Sequence, residues 1–395
     1  MNNILQLERN SCVSCRSCEH ICPKKCISFS NDEQGFSYPQ LNDECINCGI
    51  CVKHCPILTL KLQENQKQTV NAMILKNTAI LQKSSSGGVF AGIAEYVIEN
   101  DGIVFGAAFD KNFCLKQVAA KTMEEITVIQ GSKYVVSDTV DSYSEVKQYL
   151  DCGKLVLYSG VPCQIAGLKS FLGKEYENLL CIDLVCHGVP SQKLFRNYLN
   201  NIENKAGKKI KSYEFRKKIG SEGWGLRNTY ILFEDGTSKK NNIAFDWYYS
   251  SFLFCESYRE SCYNCKFARP ERIGDITIGD FWGFRRFYNN TDINYRAGVS
   301  MCLINNEKGL KHFNYFKDKF ITLDANLEDI TLENVNLREP SVRPEMRNVF
   351  YEKVDSRLFR FKFLFEKRKL KWLIGMTINQ FIPKWLKKCI RRVRG

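Results

Sequence analysis

The chain has 395 residues, 44% of them apolar and 25% charged, with a formal net charge of +14. That length exceeds one small module and predicts two or three domains around a sizeable core. Nineteen cysteines would suit a disulfide scaffold in a short secreted chain, but here the number is odd, the chain is long and the spacing is that of metal thiolates.

At the start, Met1 to Asn10 has no apolar h-region, so no signal peptide is expected, and no run of eighteen apolar residues offers a membrane span. A reducing cytoplasm is the expected location, and oxygen-labile clusters point to an anaerobe. The next stretch reads Cys12-x2-Cys15-x2-Cys18-x3-Cys22-Pro23, then Cys45-x2-Cys48-x2-Cys51-x3-Cys55-Pro56. This duplicated spacing is the bacterial ferredoxin signature for two [4Fe–4S] clusters. Three closely spaced thiolates reach three irons of one cube, and the fourth crosses to the other. Cys12, Cys15, Cys18 and Cys55 are assigned to one cluster, and Cys45, Cys48, Cys51 and Cys22 to the other. Structural zinc, which takes its four ligands as two separated pairs, fits the spacing poorly. A module this small holds little apolar core, so its clusters also hold its fold. Cys26 is read as core.

A polar run from Lys61 to Thr69 marks a boundary. Ser84-Ser85-Ser86-Gly87-Gly88 then opens a helical pattern, Val89 to Ile98, followed by a strand, Gly102 to Phe109. Such a loop can present backbone N–H groups to a phosphate, or be only a turn. Neither a GxGxxG fingerprint nor a P-loop is present. After a helix from Ser142 to Leu150 come two βα units. The strand Leu155 to Tyr158 hands over to Pro162-Cys163, and the strand Leu179 to Val185 hands over to Cys186-His187-Gly188. Cys163 and Cys186 thus sit at carboxyl ends of strands, where α/β proteins bind ligands. A thiol at a helix N-terminus is a better metal ligand or nucleophile. Antiparallel strands follow over Lys211 to Asp235. Cys262-x2-Cys265 is a lone pair needing two more ligands. With Cys163 and Cys186 it makes a third [4Fe–4S] site; zinc and a redox dithiol are the competing readings. Cys255 could replace one of the four. Cys114, Cys181 and Cys302 are read as structural. Among four scattered histidines, His187 alone lies in a candidate site and is a candidate proton donor.

The segments SSSGGVFAGIAEYVIENDGIVFGAAFD, GSKYVVSD, YSGVPCQIAGLKSFL, IDLVCHGVPS, SCYNCKF and DITIGDFWG together resemble the coenzyme F-420 hydrogenase/dehydrogenase beta-subunit family. The resemblance runs from about Ser84 to Trp282, with the ferredoxin module fused in front. It implies FAD and a [4Fe–4S] cluster passing electrons to or from a two-electron carrier. By motif, Ser85, Gly87, Gly88, Ser132, Lys133, Tyr134 and Trp282 become candidates for the flavin pocket, and His187 and Asp280 for catalysis. The implied fold class is multidomain α+β / α/β: a small 2[4Fe–4S] bacterial-ferredoxin domain followed by an α/β flavin-binding body with a mixed sheet. The expected divisions are 1–62 ferredoxin, 63–75 linker, 76–155 and 156–340 body, and 341–395 tail.

The expected function is an iron–sulfur flavoprotein oxidoreductase that exchanges electrons with a ferredoxin or another redox protein. The resemblance also makes a sugar- or lipid-linked cell-envelope intermediate a candidate substrate, beside a small molecule. The alternatives are F-420 oxidoreduction itself and an electron-transfer subunit without its own substrate. From Arg357 to Gly395 there are thirteen Lys or Arg and one acid, Glu366, so nearly all the net charge is there. Trp372, Trp385 and Lys384 to Arg394 make an anionic membrane surface a candidate partner of this tail, on the inner face of the membrane. With no recognition module beside the charge, no nucleic-acid partner is expected.

Overall fold

The computed structural model describes residues 2–59, 68–139, 141–218, 228–288 and 294–366, together with Trp224, Thr291 and Lys369. In the N-terminal module, β1 (Ile27–Asn31) and β2 (Ser37–Leu41) form an antiparallel hairpin between the two cysteine runs.

The body is built on one eight-stranded sheet. Its strands are β3 (Thr69–Leu75), β4 (Ile103–Phe109), β5 (Leu115–Ala120), β6 (Val156–Gly160) and β7 (Leu179–Leu184), then, after the small sheet described next, β11 (Ile276–Asp280), β12 (Ser300–Ile304) and β13 (Phe320–Asp324). The small sheet is an antiparallel meander of β8 (Ile210–Glu214), β9 (Asn228–Phe233) and β10 (Ser238–Asn242). The large sheet has the order β13-β3-β12-β11-β7-β6-β4-β5. The central run β11, β7, β6, β4 is parallel, and antiparallel strands complete both sides. The parallel strands read as continuous apolar runs because helices cover both faces. Ile93, Val97, Leu157, Leu180 and Phe316 share the core on one face. Phe105, Tyr143, Tyr158, Ile165 and Leu168 share that on the other.

The small sheet packs with the helix Gln192–Ala206 around Phe195, Tyr198, Phe215, Tyr248 and Phe350. Within this aromatic core, Asp246 is buried; it accepts from Tyr198 Oη and from the Tyr249 backbone N–H. Burial pushes its carboxyl up to about 6. A carboxyl held above its free value of 3.8 favours folding fully below that pH and loses the contribution as pH rises through about 6. Asp246→Asn should therefore lack this part of the fall in thermal midpoint between pH ~4 and ~7. Parallel wild-type and variant profiles would rule the assignment out.

The structure corrects three of the expected divisions. Residues 69–75 are not linker but β3, paired on both sides inside the sheet. The division at 155/156 cuts a single sheet, since β4 and β6 pair directly. Residues 341–366, within the expected tail division, belong to the body: Phe350 and Phe363 join the aromatic core, and buried Arg347 donates to Tyr258 O and Gln34 Oε1. Trp372, Trp385 and Lys384 to Arg394, the expected membrane contact, fall outside the described residues. Among the described residues, no helix is long and apolar enough to cross a membrane.

The ferredoxin-type module is clamped to the body. Buried Arg259 donates to Cys12 O at 2.6 Å and Ser37 O at 2.8 Å. Arg16 pairs with Asp138 at 2.8 Å, and Lys266 donates to Ile57 O at 3.0 Å.

Candidate functional site

The two cysteine runs fold alike. Ser14 and Asn47 occupy the same step of each repeat, as do Arg16 and Gly49, and all four have positive φ. Left-handed backbone at a non-glycine residue is costly and concentrates at functional loops. Here it brackets Cys15 and Cys48 in the same way. Cys12, Cys15, Cys18 and Cys55 are buried together. Burial pushes the Cys15 thiol up to about 12, with Cys55 and Cys12 adding to the shift, and Cys18 rises from burial with Cys15, Cys12 and Cys55. Such a cage does not ionise without a multivalent cation inside it. Cys22, Cys45, Cys48 and Cys51 wall a second small cavity, which Cys26 also lines, its Sγ 3.4 Å from that of Cys22. Cys48 is the exposed member of this group.

The βα units bring the third set together. Cys163 opens the helix Pro162–Leu172 after β6, Cys186 follows β7, and Cys262 and Cys265 come from a short turn before β11. All four line one small pocket with Arg259 and Arg272. Burial raises the Cys163 thiol, with Cys265, Cys186, Cys262 and also Cys15 contributing. Burial pushes Cys262 up to about 12. The eighteen described cysteines form no disulfide. Among the described residues, no three His, Cys, Asp or Glu side chains are close enough to share a single metal ion.

Beside this pocket a cleft of about 400 Å³ opens at the carboxyl ends of β4, β6, β7 and β11. Cys186 and His187 wall both. Ser85, Gly88, Ser132, Lys133, Tyr134 and Trp282 line the cleft. Gly87 does not: a Cβ there would lie 2.2 Å from Met73 O, and its N–H is bonded to Ser300 Oγ. It belongs to the seam between the serine loop and the sheet. Ser85 Oγ accepts from Ser132 N at 2.7 Å, tying the two loops together.

Lys133 is not a free cation. Its ammonium donates to the carbonyls of Ile129, Gln130 and Gly131 and so caps the helix Met123–Ile129. Burial pushes it down to about 7, while the three carbonyls favour the charged form. Asp280 differs from the catalytic expectation. Arg216 holds it in a bidentate pair at 2.6 and 3.0 Å, and Trp224 Nε1 donates to it at 2.9 Å. Its oxygens are committed, so it acts as a counter-ion rather than a free acid or base. Trp224 stacks on Trp282 at 5.0 Å. His187 is enclosed; burial lowers its pKa, and the Asp280 charge works the other way.

Two residues that the sequence does not single out also line the cleft. Among the described residues, Arg216 Nε and Gln117 Oε1 are buried without a hydrogen-bond partner. Buried polar atoms of this kind call for a polar partner. Arg216 lies in a Phe-Arg-Lys-Lys run that reads only as strand, and nothing local distinguishes it from its neighbours.

Residues 11–59 match the family model of a 4Fe-4S dicluster domain, and residues 153–328 match that of the C terminus of the coenzyme F420 hydrogenase/dehydrogenase beta subunit. The chain is an iron–sulfur electron-transfer protein of the oxidoreductase-subunit type. Over residues 153–328 it carries the C-terminal domain of the coenzyme F420 hydrogenase/dehydrogenase beta subunit, with a 4Fe-4S dicluster domain in front. The pyruvate synthase subunit PorD of Methanothermobacter marburgensis is 32% identical over 15% of this chain and 65% of its own length. An uncharacterized ferredoxin of Methanocaldococcus jannaschii is 30% identical over 16% of this chain and 87% of its own. The chain thus spans just under two thirds of the first of these relatives. A chain in the F-420-reducing [NiFe] hydrogenase complex of Methanosarcina barkeri superposes with a TM-score of 0.43 at 19% identity, over 73% of this chain and 88% of that one.

Proposed function

We propose that the chain is an iron–sulfur flavoprotein oxidoreductase. In this reading three cysteine sets hold [4Fe–4S] clusters, the cleft holds FAD, and electrons pass between them to reduce or oxidise a two-electron substrate. The carrying observation is the shared wall: Cys186 and His187 face both the third cysteine pocket and the cleft. A flavin, when bound, exchanges single electrons with clusters and electron pairs with organic substrates. The chain's own groups suit that ligand. The turn before the helix Val89–Glu99 offers backbone N–H groups to a diphosphate. Arg216 Nε and Gln117 Oε1 offer a donor and an acceptor to a polar ring edge. Tyr134, Phe252 and Tyr258 line the cleft and would shield a bound ring from water. His187, on the wall shared by the pocket and the cleft, would give or take a proton at the substrate. The exposed edge at Cys48 is where a ferredoxin or similar one-electron carrier would dock.

The test is anaerobic purification with iron, zinc and flavin measured on one sample. About twelve irons and one FAD per chain are expected. About eight irons with FAD would remove the third cluster and keep the flavoprotein. No flavin after reconstitution with FAD would end the reading and leave a subunit that only carries electrons.

A further inference from the structure

Gly167 lies in the middle of the helix Pro162–Leu172, where glycine costs about 1 kcal/mol relative to alanine. The compensation is a contact with the ferredoxin-type module. A Cβ on Gly167 would lie 2.6 Å from Cys15 Cβ, 3.1 Å from Cys15 Sγ and 2.7 Å from Tyr143 Oη. No side chain fits, and the first cysteine set rests directly on this helix. Neighbouring contacts fix the approach: Thr139 Oγ1 donates to Cys15 O at 3.1 Å, and His54 O accepts from Ser170 Oγ at 2.8 Å.

Cys163 lies four residues before Gly167, so the two positions share one face of the helix. They are separated by one turn, about 6 Å along the axis. A ligand position of the first set and one of the third therefore sit side by side on the same helical face, at the only residue type that allows it.

We infer that Gly167 is a positioning residue for electron transfer: by omitting a side chain it sets the closeness of the first and third cysteine sets. The inference rests on the three-cluster reading above. Because electron tunnelling and magnetic coupling both fall steeply with distance, a side chain at this point should separate the two centres functionally while each keeps its own ligands.

The experiment uses the full-length, anaerobically purified protein reduced with dithionite. Wild-type protein must first show about twelve irons per chain; fewer would overturn the three-cluster reading itself and not this step. With twelve present, wild type should give a broad electron paramagnetic resonance signal from interacting clusters. Gly167→Ala should keep the iron and lose part of that broadening, with slower electron delivery to the flavin, and Gly167→Val should lose more. Unchanged spectra and unchanged delivery in both variants would overturn the inference. Should either variant lose iron, Cys265→Ser supplies the second measurement. Removing the third centre should then sharpen and slow the relaxation of the first centre's signal, and an unaltered signal would overturn the proposed closeness.

Discussion

Cys163→Ala should lower iron from about twelve to about eight per chain while leaving FAD in place. Electrons supplied at the ferredoxin-type module should then no longer reach the flavin. Cys163 shares its pocket with Cys186, Cys262 and Cys265, and it lies one turn before Gly167, the helix position against which Cys15 packs. Cys255→Ala is the matched control. Cys255 lines the cleft but not the four-cysteine pocket, so its loss should leave twelve irons. Metal analysis with stopped-flow flavin absorbance checks both. If Cys163→Ala keeps the full iron content, the third site does not use this ligand; if Cys255→Ala loses four irons, Cys255 belongs in the set.

Asp280→Ala should destabilise the protein by about 3–5 kcal/mol, because it strands a buried guanidinium. The Arg216 side chain is 3% exposed and that of Asp280 15%, so removing the carboxylate leaves the positive charge without solvent to replace it. Trp224 Nε1 loses its acceptor in the same substitution. Replacing both charges, as Arg216→Met with Asp280→Leu, should restore most of the stability, since the loss arises from one unpaired ion rather than from the pair's net worth. Denaturation midpoints of the two single variants and the double variant give the coupling. Equal losses in Asp280→Ala and the double variant would refute the account.

What is legible in the sequence follows from how local each feature is. The cysteine runs are readable because cluster ligation imposes fixed spacing within a few residues. The βα units are readable because parallel strands bury both faces and leave near-continuous apolar runs, as in Leu179 to Leu184. Cys163 and Cys186 stand out because each follows such a strand. Val70 to Leu75 is equally apolar, yet it falls within the expected linker, because the polar run before it dominates the local pattern. Arg216 and Gln117 are not legible: Arg216 matters through its pairing with Asp280 of β11, and both through facing the cleft, contacts between segments far apart in sequence. Lys133 and Asp280 are found by motif, but only the packed structure shows that their charges are already occupied.

Arg259 has a consequence for how the protein is assembled. Its backbone carbonyl accepts from Cys262 N, and its guanidinium holds Cys12 O and Ser37 O. One short loop therefore shapes the third cysteine pocket and grips the module that carries the other two. Iron loading at one end and docking at the other share the same free energy, as metal binding and folding do generally. During biogenesis a chain starved of iron would present the module undocked and the loop unformed together, the state that cellular proteases remove. If all three cysteine sets hold clusters as proposed, their insertion, the closing of this loop and the seating of the N-terminal module should be coupled steps.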